Sequence, residues 1–222
     1  MLNRLPPKII LWGGTGQAKV NRPIVEHYGA KVVVVFDDTP GLNSPFSDVP
    51  IYRGWDAFEE WFKNHKKSEL GFCIAIGNPH GRIRCQLHDQ LVREGLSPIS
   101  LVHPTAFIDK SAVIGEGCQM MAGVIIQPEV QIGKQCIINT RVSIDHECVI
   151  EDGVEIAPGA ILCGDVHLET NVWIGAGATI LPRRRVGQDA IVGAGAVVTE
   201  DVPPGVTVIG IPAKQMSRSL QK

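Results

Sequence analysis

Aromatic side chains are scarce in this 222-residue sequence, at 5 %, and neither sign of charge is in surplus, with 21 Lys and Arg against 23 Asp and Glu. With so few large rings, the core has to be made of Val, Ile and Ala. Together with 24 glycines, that mixture suits short strands and tight turns rather than helical bundles. A net charge of -2 and a pI near 6.4 exclude the electrostatic footprint of a nucleic-acid binder or of a protein drawn to an anionic membrane. No apolar run is long enough to span a bilayer. The opening stretch MLNRLPPKIILWGG has no small-residue cleavage site and runs into a glycine turn, so it reads as a first strand rather than a signal peptide. The six cysteines include no C-x-x-C pair, which leaves a metal site without ligand spacing. Small buried thiols in a reducing compartment are the expectation, hence a cytoplasmic protein.

Two grammars divide the chain. Over residues 1–102, apolar β-branched runs (KIILW, KVVVVF, GFCIAIGN, ISLV) alternate with stretches of helical spacing at 18–28, around Trp55, Phe58 and Phe62, and at 80–94. This predicts a Rossmann-like α/β domain with a parallel sheet, closed by ISLV. Its first turn, Gly13-Gly14-Thr15-Gly16, lies between a strand and a helix start. Backbone N–H groups and the helix dipole can hold a phosphate there. Asp37 and Asp38 end the next strand, where a carboxylate can meet a ribose or base. The glycines do not spell G-x-G-x-x-G, which argues against a nicotinamide-dependent oxidoreductase.

Over residues 103–222 an aliphatic residue or Met recurs at every sixth position. The series runs Ile108, Ile114, Met120, Ile126, Ile132, Ile138, Ile144, Ile150, Ile156, Leu162, Leu168, Ile174, Ile180, Val186, Val192 and Val198. Hexapeptide periodicity of this kind predicts a parallel β-helix with three short strands per coil, each inward residue stacking on the one eighteen positions away. Cys118 and Cys136, eighteen apart, then stack in the core. The tail PPGVTVIGIPAK is expected to leave the repeat after Val198 and cover the open end.

The repeat ending in IGIPAK, together with GGTGQAKV, FDD, AIGN, LVHPTAFI and NTRVSIDHECVI, resembles the bacterial nucleotide-sugar N-acetyltransferases that act on 4-amino-4,6-dideoxyhexoses and the related sialic acid O-acetyltransferases. The resemblance spans roughly 8–216. It implies left-handed coils, a homotrimer with active sites between subunits, acetyl-CoA as co-substrate and no metal. It also implies a small-molecule nucleotide-sugar substrate held by Gly14, Thr15, Gly16, Gln17, Asp37, Asp38, Gly77 and Asn78. Neither nucleic acid nor membrane insertion has a part. In the family, His146 of the DHE element is the general base, Glu147 orients it and Asn139 supports it. Acetyl-CoA runs past Glu155, Gly164, Ala176, Ala194 and Lys214, with the Gly164 N–H as oxyanion donor.

The residues agree with this in outline. His146 follows the inward Ile144 by two positions, which puts it on a turn with its side chain outside the core. An imidazole with an ordinary pKa of about 6.5 suits a base at neutral pH. Pro128 and Gly164 occupy the same position one coil to either side, and Gly164 is expected to leave space above the ring for a thioester. O-acetylation of a sialic-acid-like sugar and a non-catalytic nucleotide-binding solenoid are the alternatives, the second leaving the Asp145-His146-Glu147 turn without a purpose. Histidines 103, 146 and 167 lack the H-x4-H spacing of hexapeptide-repeat zinc enzymes. Two positions depart from the family, Gln17 and Glu155, where its members often carry His. Arg183-Arg184-Arg185 reads equally as a contact for CoA phosphates, with Lys214, or as a solvated charge run. Arg184 stands where a small inward residue is usual, so the coil is expected to loosen there.

Overall fold

A computed structural model describes residues 5–77 and 79–216. Its contacts form two compact units, residues up to 77 with 86–101, and 79–85 with 102–216.

The first unit carries a five-stranded parallel sheet. Its strands are β1 (Lys8–Trp12), β2 (Lys31–Phe36), β3 (Ile51–Tyr52), β4 (Leu70–Ile74) and β5 (Ser97–Pro98), in the order β3-β2-β1-β4-β5. In an open α/β sheet of this order the strand sequence reverses direction beside β1, and the crevice beyond the carboxyl ends of the strands is where ligands bind. Helices α1 (Gly16–His27), α2 (Gly54–Phe62) and α3 (Gly81–Arg93) follow β1, β3 and β4. The apolar run of β1 is buried throughout at Ile9, Ile10, Leu11 and Trp12. Trp12 packs against Phe36, Trp55 and Phe58, so the helical face seen around Trp55 and Phe58 is the face that meets the sheet. The ISLV stretch does not close this sheet. Ser97–Pro98 pairs with β4 instead, and Leu101–Val102 begins the β-helix.

The second unit is a three-sided parallel β-helix. Face I runs from Phe107–Ile108 to Val197–Val198, face II from Val113–Ile114 to Arg185–Val186, and face III from Leu101–Val102 to Thr207–Ile209. Neighbouring strands pair in register eighteen residues apart, as at Ile126↔Ile144 and Ile144↔Leu162. The inward residues from Met120 to Val198 are almost wholly buried, Cys118 and Cys136 among them. The corners explain how such narrow coils close. At every corner from 117 to 195 one residue has positive φ, occupied by Gly or by residues such as Gln135 (56°), Glu147 (61°) and Arg183 (61°). A left-handed residue reverses the chain sharply enough to start the next flat strand.

Both ends of the solenoid exceed the six-residue count. Val102 sits in the core one step before Ile108. Beyond Val198 the coil loses two residues yet continues, with Val202 bridging Val186 and Val208 paired with Val192. Only after that does Lys214–Gln215 turn back antiparallel. The coil does not loosen at Arg184 either. Its carbonyl accepts from His167 N at 3.0 Å, and Arg183 N donates to Gly164 O at 3.1 Å. The Arg184 side chain turns aside, donating to the Pro182 carbonyl at 3.2 Å and lying 3.7 Å from Asp201.

Candidate active site

His146 stands on the corner between faces I and II. Asp145 N donates to Leu162 O, Glu147 N to Pro128 O, and Asp165 N to His146 O, so the turn is tied to the coils on both sides. The Asp145 carboxylate accepts the His146 N–H at 2.9 Å, the local bond that Asp favours in turns. Glu147, held in the left-handed region, brings its Oε2 to 2.9 Å from His146 Nδ1. That bond places a proton on Nδ1 and leaves Nε2 as the basic nitrogen. Both side chains stay more than half exposed, at 55 % and 59 %.

Gly164 lies one coil away on the same corner. A Cβ added there would fall 2.5 Å from both Cε1 and Nε2 of His146. The space left by the missing side chain is therefore filled by the imidazole itself, not held open above it. The Gly164 N–H donates to no group among the described residues. Cys163, beside it, has its thiol pushed above the ordinary range by burial and then by the Asp145 charge.

The remaining expected residues of this half lie elsewhere on the prism. Asn139, Ala176 and Ala194 occupy the corner between faces III and I, where Asn139 Nδ2 donates to Ile156 O at 3.1 Å. Glu155 projects from face III with its carboxylate 3.6 Å from the guanidinium of Arg84. Lys214 lies near Glu200. In one chain, then, His146 is brought together with Glu147 and Gly164 only.

Arg84 has no counterpart in the sequence reading. It is fully buried, and it donates to the carbonyls of Gln135 at 3.0 Å and Gly153 at 2.8 Å. Two residues before it, Arg82 grips Asp189 with two hydrogen bonds while its N–H meets Asn171. Gln135, Gly153, Asn171 and Asp189 are successive left-handed residues of the corner between faces II and III, so residues 79–85 lie along that corner across four coils. His167, one of the histidines without H-x4-H spacing, is partly covered in a ladder with Glu151 and Arg185.

At the carboxyl edge of the first unit's sheet, Gly13 takes φ 110°, and a Cβ there would press within 2.4 Å of Ala75 O. Only glycine allows that crossing. Asp37 accepts the Gly14 N–H at 2.7 Å and the Thr39 N–H at 2.8 Å. Burial raises its pKa, but these bonds outweigh burial and the net shift is downward. The carboxylate thus braces the glycine turn, and Asp38 remains the exposed acid. Gly14, Thr15, Gly16, Lys19 and residues 41–45 line a cleft of about 520 Å³. Thr15 makes no side-chain cap, which suits first-turn N–H groups facing an anion. Gln17 Nε2 donates to Asn21. Gly77 lies in the loop after β4, and Asn78 lies outside the described residues.

A model of the PglD N-terminal domain matches residues 8–89, and one of the bacterial transferase hexapeptide repeat matches 165–200. The GDP-perosamine N-acetyltransferase of Escherichia coli O157:H7 is 39 % identical over 157 residues, 67 % of this chain and 68 % of that protein. The chain belongs to the nucleotide-sugar N-acetyltransferases. Solved structures of this acetyltransferase family superpose over nearly its whole length. PerB from Caulobacter crescentus, in complex with CoA and GDP-perosamine, is 32 % identical with a TM-score of 0.85, covering 95 % of this chain and 97 % of that one. The acetyltransferase domain of PglB from Neisseria gonorrhoeae FA1090, in complex with acetyl coenzyme A, is 28 % identical with a TM-score of 0.83, covering 95 % and 99 %. As a family member, the protein is an acyl-CoA-dependent sugar N-acetyltransferase. Among its described residues no group of three His, Cys, Asp or Glu is placed to hold a metal ion.

Proposed function

We propose that the protein transfers the acetyl group of acetyl-CoA to the 4-amino group of a nucleotide-linked 4-amino-4,6-dideoxyhexose, with His146 as the general base, in a homotrimer. The observation that carries this is the exposed imidazole on Gly164, its Nδ1 held by Glu147 at 2.9 Å. A sugar ammonium ion must lose a proton before nitrogen attacks the thioester carbonyl. Nε2 accepts a proton as that bond forms, and Glu147 stabilises the resulting imidazolium. The Gly164 N–H, which donates to nothing else, faces the carbonyl oxygen as it gathers negative charge. The thiolate of CoA leaves with the electron pair of the C–S bond.

The positions of the parts support the trimer. Asn139, Ala176 and Ala194 are a face away from His146, so acetyl-CoA can meet both sets only where the corner of one copy meets the next. Glu155 holds Arg84 in this reading and is not a contact for acetyl-CoA. In the first unit the diphosphate lies on the N–H groups of Thr15 and Gly16, with Gln17, Gly77 and Asn78 at the margin and Asp38 toward the nucleoside.

A panel of nucleotide 4-amino sugars, read by release of free thiol, tests the acceptor. GDP-perosamine heads the panel because a relative at 39 % identity is named for it and one at 32 % is solved in complex with it. Acetylation of a sugar hydroxyl, with every amine left untouched, would overturn the amine assignment. The base is tested by a series of variants. His146→Ala is expected to lower kcat by about two to four orders of magnitude with both substrates still bound. Glu147→Ala costs less and Asp145→Asn least. Near-normal turnover of His146→Ala would falsify the base assignment.

A further inference from the structure

Of the three consecutive arginines, two are spoken for within the fold. Arg184 is turned to Pro182 and Asp201. Arg185 binds Glu169 and His167 through its side chain, and Asp201 through its N–H. Arg183 is different. It is exposed, its φ of 61° throws the side chain outward from the corner, and no group among the described residues pairs with its guanidinium.

Its corner is the one that carries His146. Going along the prism axis, Glu147, Asp165 and Arg183 are equivalent left-handed residues, linked by Asp165 N to His146 O and Arg183 N to Gly164 O. Adjacent strands are about 4.8 Å apart, so Arg183 stands about 10 Å from the catalytic turn, two coils on. The surface between them is low. Cys163 comes first, then Leu181, 36 % exposed, and Pro182, with Ile161 showing 45 % of its surface on the adjoining strand of face I; the exposed Asp165 stands at the margin of this apolar track, one coil before Arg183. A base, a narrow apolar track and then an unpaired cation repeat the order of groups in an acyl-CoA: thioester, pantetheine arm, phosphate.

We propose that Arg183 holds a phosphate of CoA and so selects the nucleotide-bearing donor over a bare acyl-pantetheine. The proposal rests on the acetyl-CoA reading above. Guanidinium suits the task because its planar fork matches two phosphate oxygens and it stays charged at any working pH.

The test compares wild type, Arg183→Gln and Arg185→Gln. Acetyl-CoA, acetyl-3′-dephospho-CoA and S-acetylpantetheine serve as donors, and calorimetric binding of CoA and of pantetheine is measured without any sugar. In Arg183→Gln the ratio of kcat/KM for acetyl-CoA to that for S-acetylpantetheine is expected to fall about tenfold or more, the worth of a lost charge-assisted hydrogen bond. Arg185→Gln is expected to keep the wild-type ratio. If the loss persists with the dephospho donor, the contact is to the pyrophosphate; if it disappears, to the 3′-phosphate. Equal loss with all three donors, or unchanged CoA binding by Arg183→Gln, would overturn the proposal while leaving the acetyltransferase reading in place. CoA binding that weakens in Arg183→Gln, in a wild type that acetylates no amino sugar, would sustain Arg183 and sink the acceptor assignment.

Discussion

The turn proposed to carry the base depends on a hydrogen atom, the one Gly164 carries where other residues have Cβ. Gly164→Ala puts a methyl group 2.5 Å from two ring atoms of His146, and because the methyl belongs to a coil fixed by ladder bonds on both sides, the ring has to yield. Its bond to Glu147 is then lost or bent. The expected outcome is a fall in kcat of about two orders of magnitude, comparable with loss of the positioned base. Thermal stability should change little, since the displaced imidazole is half exposed. Steady-state kinetics beside a melting curve checks both, and unchanged kcat would separate Gly164 from the base. The sequence made His146 legible because the six-residue period fixed its address. The reason for Gly164 was not legible, because equivalence one coil apart does not say which neighbour leans into the gap.

Two further elements can be tested, the glycine turn of the first unit and the arginine-bearing segment at 79–85 of the second. For the turn, Gly16 is the informative position, since a Cβ added there meets nothing within 4 Å, whereas one at Gly14 would press on Ile51 and Leu42. Gly16→Asp brings a negative charge to the N–H groups proposed to face the phosphate, with its Cβ in open space. The KM for the sugar nucleotide is expected to rise about tenfold or more, with the KM for acetyl-CoA nearly unchanged; equal rises would point to a different pocket. In the segment, Asp189 has its pKa held down to about 2, chiefly by the hydrogen bonds from Arg82 and then by Asn171 and Gln188. A carboxyl lowered on folding stabilises the native state above its ordinary value of 3.8, and that contribution fades as pH falls toward 2. Urea midpoints between pH 4 and pH 2 should therefore decline less steeply for Asp189→Asn than for wild type. The effect is modest because the pair is partly exposed and solvent screens it, and parallel declines would show that the pair contributes nothing. The glycine turn was readable beforehand, but the anchoring of this segment was not. The stretch 80–94 shows only helical spacing, and the partners of Arg84 lie 51 and 69 residues away.

At the scale of the whole molecule, the division into a parallel α/β unit and a hexapeptide solenoid was plain from two different periodicities. The extent of the solenoid was not. A two-residue deletion between Val186 and Val202 ends the period while the hydrogen-bond ladder goes on, and counting by six cannot follow it. The homotrimer is tested by sedimentation equilibrium over a range of concentrations, with turnover measured on the same samples. Activity is expected to vanish with dissociation, since in the proposed trimer the III–I corner of one copy completes the site of another. A fully active monomer would rule out the shared site.

Left-handed corner residues recurring at fixed count make the β-helix a ruler with a mark every eighteen residues. Distances along one corner come in whole strand spacings, so the gap from His146 to Arg183 is set by chain length and not by any packing adjustment. A spliced-in coil of eighteen residues between Gly164 and Pro182 lengthens that gap by about 4.8 Å with every face preserved. An insertion of six rotates everything beyond it by one face and carries Arg183 off the corner altogether. Selection on the length of the donor molecule can therefore act through whole coils gained or lost.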